Sequence, residues 1–186
     1  MKRLFVLAAA GAALAAAPAW ADLKPGTKAP DFTAPAYLAG KPFTYNLASA
    51  LKKGPVVLYF FPSAHTAGCN LEARLFSESV DKFKARGATV IGVTAGKVNE
   101  LADFSRETEH CGGKFPVAAD PGAKIATQFD ARMQGRNGGP APELSSRTSY
   151  VIGRDGRIAH VYTAMDPTGH VDQTLAAVQK LKVAKR

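Results

Sequence analysis

The chain has 186 residues, 24 of them Lys or Arg against 15 Asp or Glu, for a formal charge of +9. That length suits one domain with a full core. Four of the positive residues (Lys180, Lys182, Lys185 and Arg186) crowd the last seven positions, which reads as a solvated C-terminal helix face and not a nucleic-acid footprint.

Residues 1–21 read as a targeting segment. Lys2 and Arg3 form a basic start, Leu4 to Ala17 is an alanine-rich apolar run, and Ala19-Trp20-Ala21 supplies the small-x-small cleavage pattern. The apolar run is short for a membrane span, and no later stretch approaches the roughly 18 apolar residues one needs. The expectation is a single exported domain over 22–186, periplasmic and free of the membrane once the signal is removed. Asp22, not cysteine, follows the cut, which argues against a lipid anchor there. Lys2 and Arg3 leave with a segment that has no acid, so +9 becomes +7. Export also exposes Cys69 and Cys111 to an oxidising compartment, where two cysteines form a structural disulfide by default. A chain this long does not need one for stability, so both readings stay open.

Asp22 to Leu51 is rich in Pro, Gly and Ala and reads as an extended lead-in with a short hairpin around Phe43-Thr44-Tyr45. Val56 to Phe61 is a continuous apolar run, the pattern of a strand buried on both faces. Leu71, Leu75, Phe76, Val80 and Phe83 then recur at helical spacing, and Gly87 is a natural stop. Ala88 to Val93 is the next buried strand. A second amphipathic helix is predicted from Lys97 toward Cys111, ended by Gly112-Gly113. Phe115 to Ala118 reads as a short strand, and Asp120-Pro121 as an N-cap followed by proline at the first helical position. Residues 130–146 are poor in regular structure. Ser149 to Ile152 and Ile158 to Tyr162 flank Arg154-Asp155-Gly156-Arg157, a strand–turn–strand hairpin, and Val171, Leu175, Val178 and Leu181 mark a closing helix. Initial βαβ alternation followed by a hairpin implies an α/β sandwich with a mixed central sheet and helices on both faces.

Within that order Cys69 holds a chemical position, because it falls where a buried strand gives way to a helix. The N–H groups of a first helical turn point at such a sulfur, and the helix dipole favours its thiolate, a nucleophile or redox centre.

Pro62-x-x-x-Thr66-x-x-Cys69 after a buried strand resembles the peroxiredoxins, which are thioredoxin-fold thiol peroxidases. Arg147-Thr-Ser-Tyr-Val-Ile152 is similar to that family's Arg-x-Thr-Phe-Val-Ile segment, whose arginine belongs to the active site. Cys69-Asn-Leu-Glu72-Ala-Arg-Leu-Phe76 looks most like the bacterioferritin comigratory protein (PrxQ) branch, and the likeness runs from about Lys24 to Leu181. It implies a thioredoxin fold, a peroxide substrate, no cofactor and a monomer. Cys69 is then the peroxidatic thiolate. Arg147, Thr66 and the backbone amides of Gly68 and Cys69 hold the peroxide oxygens, and Pro62 shields the sulfur. Thr66 also reads as a helix cap. Sulfenic Cys69 would condense with a second thiol, and a thioredoxin-like dithiol would reduce the disulfide.

Three departures bear on this resemblance. Ala67 stands where the branch usually has proline, and Asn70 where it has threonine. Arg74 occupies the place of the second cysteine that many members carry five residues after the first. A resolving thiol must then be Cys111, on the following helix; a spectator or intermolecular thiol, or a permanent disulfide to Cys69, are the other readings. Glu72 matches a glutamate of the branch or is a plain helix-surface residue, and His65 adjoins the motif. His110, His160 and His170 show no metal-ligand spacing, so no metal is expected. The rival function is a thiol–disulfide oxidoreductase acting on protein disulfides, which ordinarily wants Cys-x-x-Cys where this chain has Thr66 first. A silent thioredoxin-fold binding module is disfavoured by the intact Thr66, Cys69 and Arg147 set.

Overall fold

The computed structural model describes residues 23–135 and 142–181. The proposed signal (1–21), the middle of the irregular 130–146 segment and the basic residues Lys182, Lys185 and Arg186 lie outside the described residues.

Alternation of apolar side chains decides the sheet. β3 (Val56–Phe60) is buried along its whole length, so it can only be central. It pairs in parallel with β4 (Thr89–Thr94) and antiparallel with β6 (Thr148–Ile152). β1 (Thr33–Leu38) and β2 (Lys41–Asn46) form the hairpin foreseen in the lead-in, and β5 (Val117–Ala119) joins β1 to β4. β7 (Ile158–Thr163) completes a mixed seven-stranded sheet of order β2-β1-β5-β4-β3-β6-β7.

Successive β3 side chains feed opposite layers. Leu58 and Phe60 pack with Leu47 and Leu51 of α1 (Leu47–Leu51) and with Ile125 and Ala126 of α4 (Lys124–Gln128). Val57 and Tyr59, with Phe61 just beyond, pack with α2 (Ala67–Lys84), α3 (Leu101–Arg106) and α5 (Gly169–Lys180). Helices thus cover both faces. The Tyr59 and Phe76 rings stack at 4.4 Å, and full burial of side chains this size contributes about 1.5–3 kcal/mol each.

Two local expectations are corrected. The helix foreseen from Lys97 to Cys111 is a 3-10 turn, Val98–Glu100, followed by the short α3, and it ends at Arg106. Glu107 is extended (φ −64°, ψ 128°). Gly112 and Gly113, at φ +58° and +67°, let the chain fold back so that their N–H groups donate to Glu107 O and Ser105 O at 2.9 Å. Carbonyls that a longer helix would use internally are satisfied by this return. Cys111 therefore lies in a turn, not on a helix. Asp120 is likewise not followed directly by a helix: Pro121, Gly122 and Ala123 form a turn first, and α4 starts at Lys124. The carboxylate still caps it, accepting from Ile125 N at 2.9 Å and Ala126 N at 2.8 Å.

Because Asp120 is buried and serves two donors, Asp120→Ala is expected to lower stability by about 1–2 kcal/mol. Asp120→Asn, which keeps one acceptor oxygen, should lose less in urea titrations; equal losses would remove the capping explanation.

Candidate active site

Where β3 ends, Ser63 bridges to Gly96 and Thr94 Oγ1 donates to Pro62 O at 3.1 Å, so the sheet itself fixes the loop entering α2. Pro62 is half-buried, and His65 is held at φ +54°. Thr66 is the N-cap of α2 by backbone (φ −118°, ψ 146°), but its exposed hydroxyl makes no cap bond. It donates to Ser63 O at 3.1 Å instead, which corrects the expectation that the side chain caps the helix. The leading N–H groups of α2 have no partner inside the helix.

Cys69 sits in that first turn and is 1% exposed. Arg147 enters from the residue just before β6, itself 4% exposed. Its Nη2 donates to Cys69 Sγ at 3.5 Å, its Nε to Met165 O at 3.0 Å, and its Nη1 to Glu72. The guanidinium lies so close to the turn that a Cβ on Gly68 would stand 3.1 Å from Nη2. Burial works against the arginine's charge, and Glu72 and the Cys69 sulfur outweigh it and hold the group protonated.

Glu72 is fully buried, one helical turn after Cys69. Burial pushes its pKa up to about 8 even with Arg147 drawing it down. Its Oε1 is 3.6 Å from Nδ1 of His170, which is also fully buried. His170 Nε2 lies 3.0 Å from Ala164 O, which can only accept, so Nε2 carries the proton and Nδ1 accepts from Ser149 Oγ at 2.7 Å. Burial lowers the His170 pKa and favours this neutral form. Cys69, Arg147 and Glu72 thus form one hydrogen-bonded buried set, and the His170–Ser149 pair stands beside it, 3.6 Å from Glu72 Oε1.

Cys111 shares the apolar cluster of Cys69, with Tyr59, Phe61, Phe104 and Phe115. Both thiols are free and buried. Burial, with Glu107 adding to it, pushes the Cys111 pKa far up. The turn is fastened to α2 by Ser77 Oγ donating to Cys111 O and Lys114 Nζ donating to Ser77 O, both at 3.1 Å.

The fold therefore brings Cys69, Gly68 and Arg147 together, sets Pro62 and Thr66 in the loop beside them, and places Cys111 in the apolar cluster of Cys69 without a bond between the two sulfurs. Sequence reasoning left Glu72 undecided and missed Ser149 and His170. The available signal was a small polar residue in an otherwise apolar strand and a histidine beside Val171 on the buried face of the closing helix.

The AhpC/TSA family model matches residues 25–161. A Mycobacterium tuberculosis protein bearing the name peroxiredoxin is 32% identical over 150 residues, spanning 80% of this chain and 90% of its own. The chloroplastic Peroxiredoxin Q of Sedum lineare is 31% identical over 138 residues, 72% of this chain and 68% of that one. The crystal structure of Peroxidoxin BcpB from Mycobacterium tuberculosis aligns with a TM-score of 0.72 at 29% identity, covering 86% of this chain and 99% of its own.

The buried carboxyl makes stability depend on pH. A folded-state value near 8 against an ordinary 4.5 means that the folded protein binds this proton more tightly. The stability it contributes is complete below about pH 4.5 and falls as pH rises toward 8. Glu72→Gln keeps an acceptor for Arg147 and removes the titration. Urea unfolding at pH 5 and pH 8 is expected to show a smaller loss between the two in the variant than in the parent; an equal loss would refute the assignment.

Proposed function

The chain belongs to the AhpC/TSA family and is a thiol-dependent peroxidase of the peroxiredoxin Q type, and from that premise we propose that Cys69 is its peroxidatic residue in an exported, periplasmic enzyme acting as a monomer. The observation that carries the residue assignment is Arg147 Nη2 at 3.5 Å from Cys69 Sγ, in the first turn of α2.

The chemistry follows from the groups at hand. The Cys69 thiolate attacks one peroxide oxygen, an S–O bond forms as the O–O bond breaks, and the leaving hydroxide or alkoxide takes a proton. Sulfur is oxidised to the sulfenic acid and the peroxide is reduced to water or an alcohol. Arg147 supplies a fixed positive charge where negative charge moves from sulfur to oxygen, and the free N–H groups of the helix start add donors. Thr66 donates its own proton to Ser63 O, so Oγ1 is left to accept a hydrogen bond from the bound peroxide. Pro62 closes the loop side of the sulfur.

Cys111 is proposed as the resolving thiol: its sulfur displaces water from sulfenic Cys69 to form the disulfide, which a thioredoxin-like dithiol then reduces by exchange. A buried thiol whose pKa is driven up is a poor nucleophile. Resolution therefore requires the 107–113 turn to open, and Gly112 and Gly113 supply the pivot.

Competition assays with hydrogen peroxide should show rapid oxidation that Cys69→Ser abolishes and Arg147→Gln slows by about 100- to 1,000-fold. Oxidation of Cys69 no faster than that of free cysteine would defeat the reading. Mass spectrometry of the treated protein should find an intrachain Cys69–Cys111 disulfide; persistent sulfenic or sulfinic Cys69 beside free Cys111 would leave a one-cysteine cycle.

A further inference from the structure

We propose that His65, Glu107 and His110 form a site for a divalent transition ion of the zinc class, set between the loop that leads to Cys69 and the turn that carries Cys111. Spacing along the chain hides the trio, and the fold assembles it. One donor atom from each lies within 4.8 Å of the others. His110 Nε2 is 3.1 Å and His65 Nδ1 3.7 Å from the same oxygen, Glu107 Oε2. Donors bound at about 2.0–2.2 Å to a tetrahedral ion stand roughly 3.3–3.5 Å apart, so two edges of the site already bracket the required spacing. The third closes by rotation of the His65 ring, whose side chain is 25% exposed, toward His110, which is 9% exposed.

The surroundings suit ligation. His65 turns its other nitrogen, Nε2, to Glu100 Oε2 at 3.8 Å, and a carboxylate behind an imidazole orients the ring and raises its basicity. Both rings stand against Phe104, with centroids at 5.3 Å from His65 and 4.9 Å from His110, an apolar floor that keeps water to one side. Two imidazoles and one carboxylate with an open fourth position favour zinc, cobalt or nickel over calcium and magnesium, which demand oxygen. His110 Nδ1 has no partner among the described residues. Support of that kind is worth about 10- to 100-fold in affinity, so binding is expected in the micromolar range and not at the strength of a structural zinc.

The position gives the ion a consequence. His65 directly precedes Thr66, and His110 directly precedes Cys111. An ion held by both fastens the peroxidatic loop to the turn that must open, and so retards closure of the disulfide. That consequence depends on the resolving role proposed for Cys111; the site itself does not.

The test uses untagged, reduced, metal-free protein titrated with Co²⁺ and then Zn²⁺. Visible cobalt bands without a thiolate charge-transfer band, displaced by zinc, are expected. His65→Gln, His110→Gln and Glu107→Gln, the last at a side chain 42% exposed, should each weaken binding by about 10- to 100-fold. No binding, affinity in the three variants unchanged from the parent's, or a thiolate band lost in the Cys69→Ser/Cys111→Ser double variant would overturn the site. Saturating zinc should also slow the peroxide-driven disulfide in the parent and not in His110→Gln; an unchanged rate in the parent would overturn the clamp. Absence of any disulfide without zinc would count against the resolving role of Cys111 and leave the titrations to decide the site.

Discussion

A guanidinium taken out of water sets the terms for the whole site. Arg147 is almost fully buried, and an unpaired charge there would cost several kcal/mol. The protein meets that demand from three directions: the Glu72 carboxyl, the Met165 carbonyl and the Cys69 sulfur. Two of these partners come from the first turns of α2 and the third from the segment after β7. Satisfying the hydrogen bonds of one side chain therefore fixes the start of β6 against the first turns of α2 and the segment after β7. The same demand explains why Gly68 is there, since any side chain would press on Nη2. The positive charge beside sulfur is thus held by the packing and needs no rearrangement when peroxide arrives.

That arrangement separates two thiols of equal intrinsic chemistry. Cys69 lies in the same apolar cluster as Cys111 but touches a cation and the open end of a helix. Cys111 is surrounded by Phe104, Phe115 and Tyr59 with an acid, Glu107, nearby, and its ionisation is opposed from every side. Cys69 thus sits beside a fixed positive charge, and Cys111 in surroundings that oppose its ionisation.

What the sequence made legible was whatever depends on local pattern. A strand buried on both faces reads as a continuous apolar run, and the Cys69 helix reads from Leu71, Leu75, Phe76, Val80 and Phe83, so the strand-to-helix position of Cys69 could be placed from residues alone. The features it hid depend on where distant segments meet. The helix before Cys111 looked longer because Val98, Leu101 and Phe104 fit a helical stripe. Its true end is set by Gly112 and Gly113 returning their N–H groups to Ser105 and Glu107, a tertiary choice that periodicity does not register. Asp120 looked like a direct cap because the Asp-Pro pair fits one, yet its carboxylate reaches past a turn to α4. Glu72 is hidden in another way. Its place on α2 marks it as a helix-surface acid until Arg147 and His170, from strands and helices far along the chain, close over it.

The balance of forces on the 107–113 turn decides whether it can open without unfolding the rest. It is fastened by a few hydrogen bonds, chiefly Ser77 to Cys111 O, Lys114 to Ser77 O and the two glycine N–H groups. Each contributes about 0.5–1.5 kcal/mol net, and burial of Cys111 adds a similar order. The four bonds come to about 2–6 kcal/mol, toward the lower end of the roughly 5–15 kcal/mol that holds a domain of this size together. Meanwhile α2 is anchored independently by Tyr59, Phe76 and Phe83 in the core and by Glu72 on Arg147. Local opening of the turn is therefore the cheaper excursion, and it releases Cys111 while leaving the cation beside Cys69 in place. The turn and the charged part of the site are thus held by different interactions.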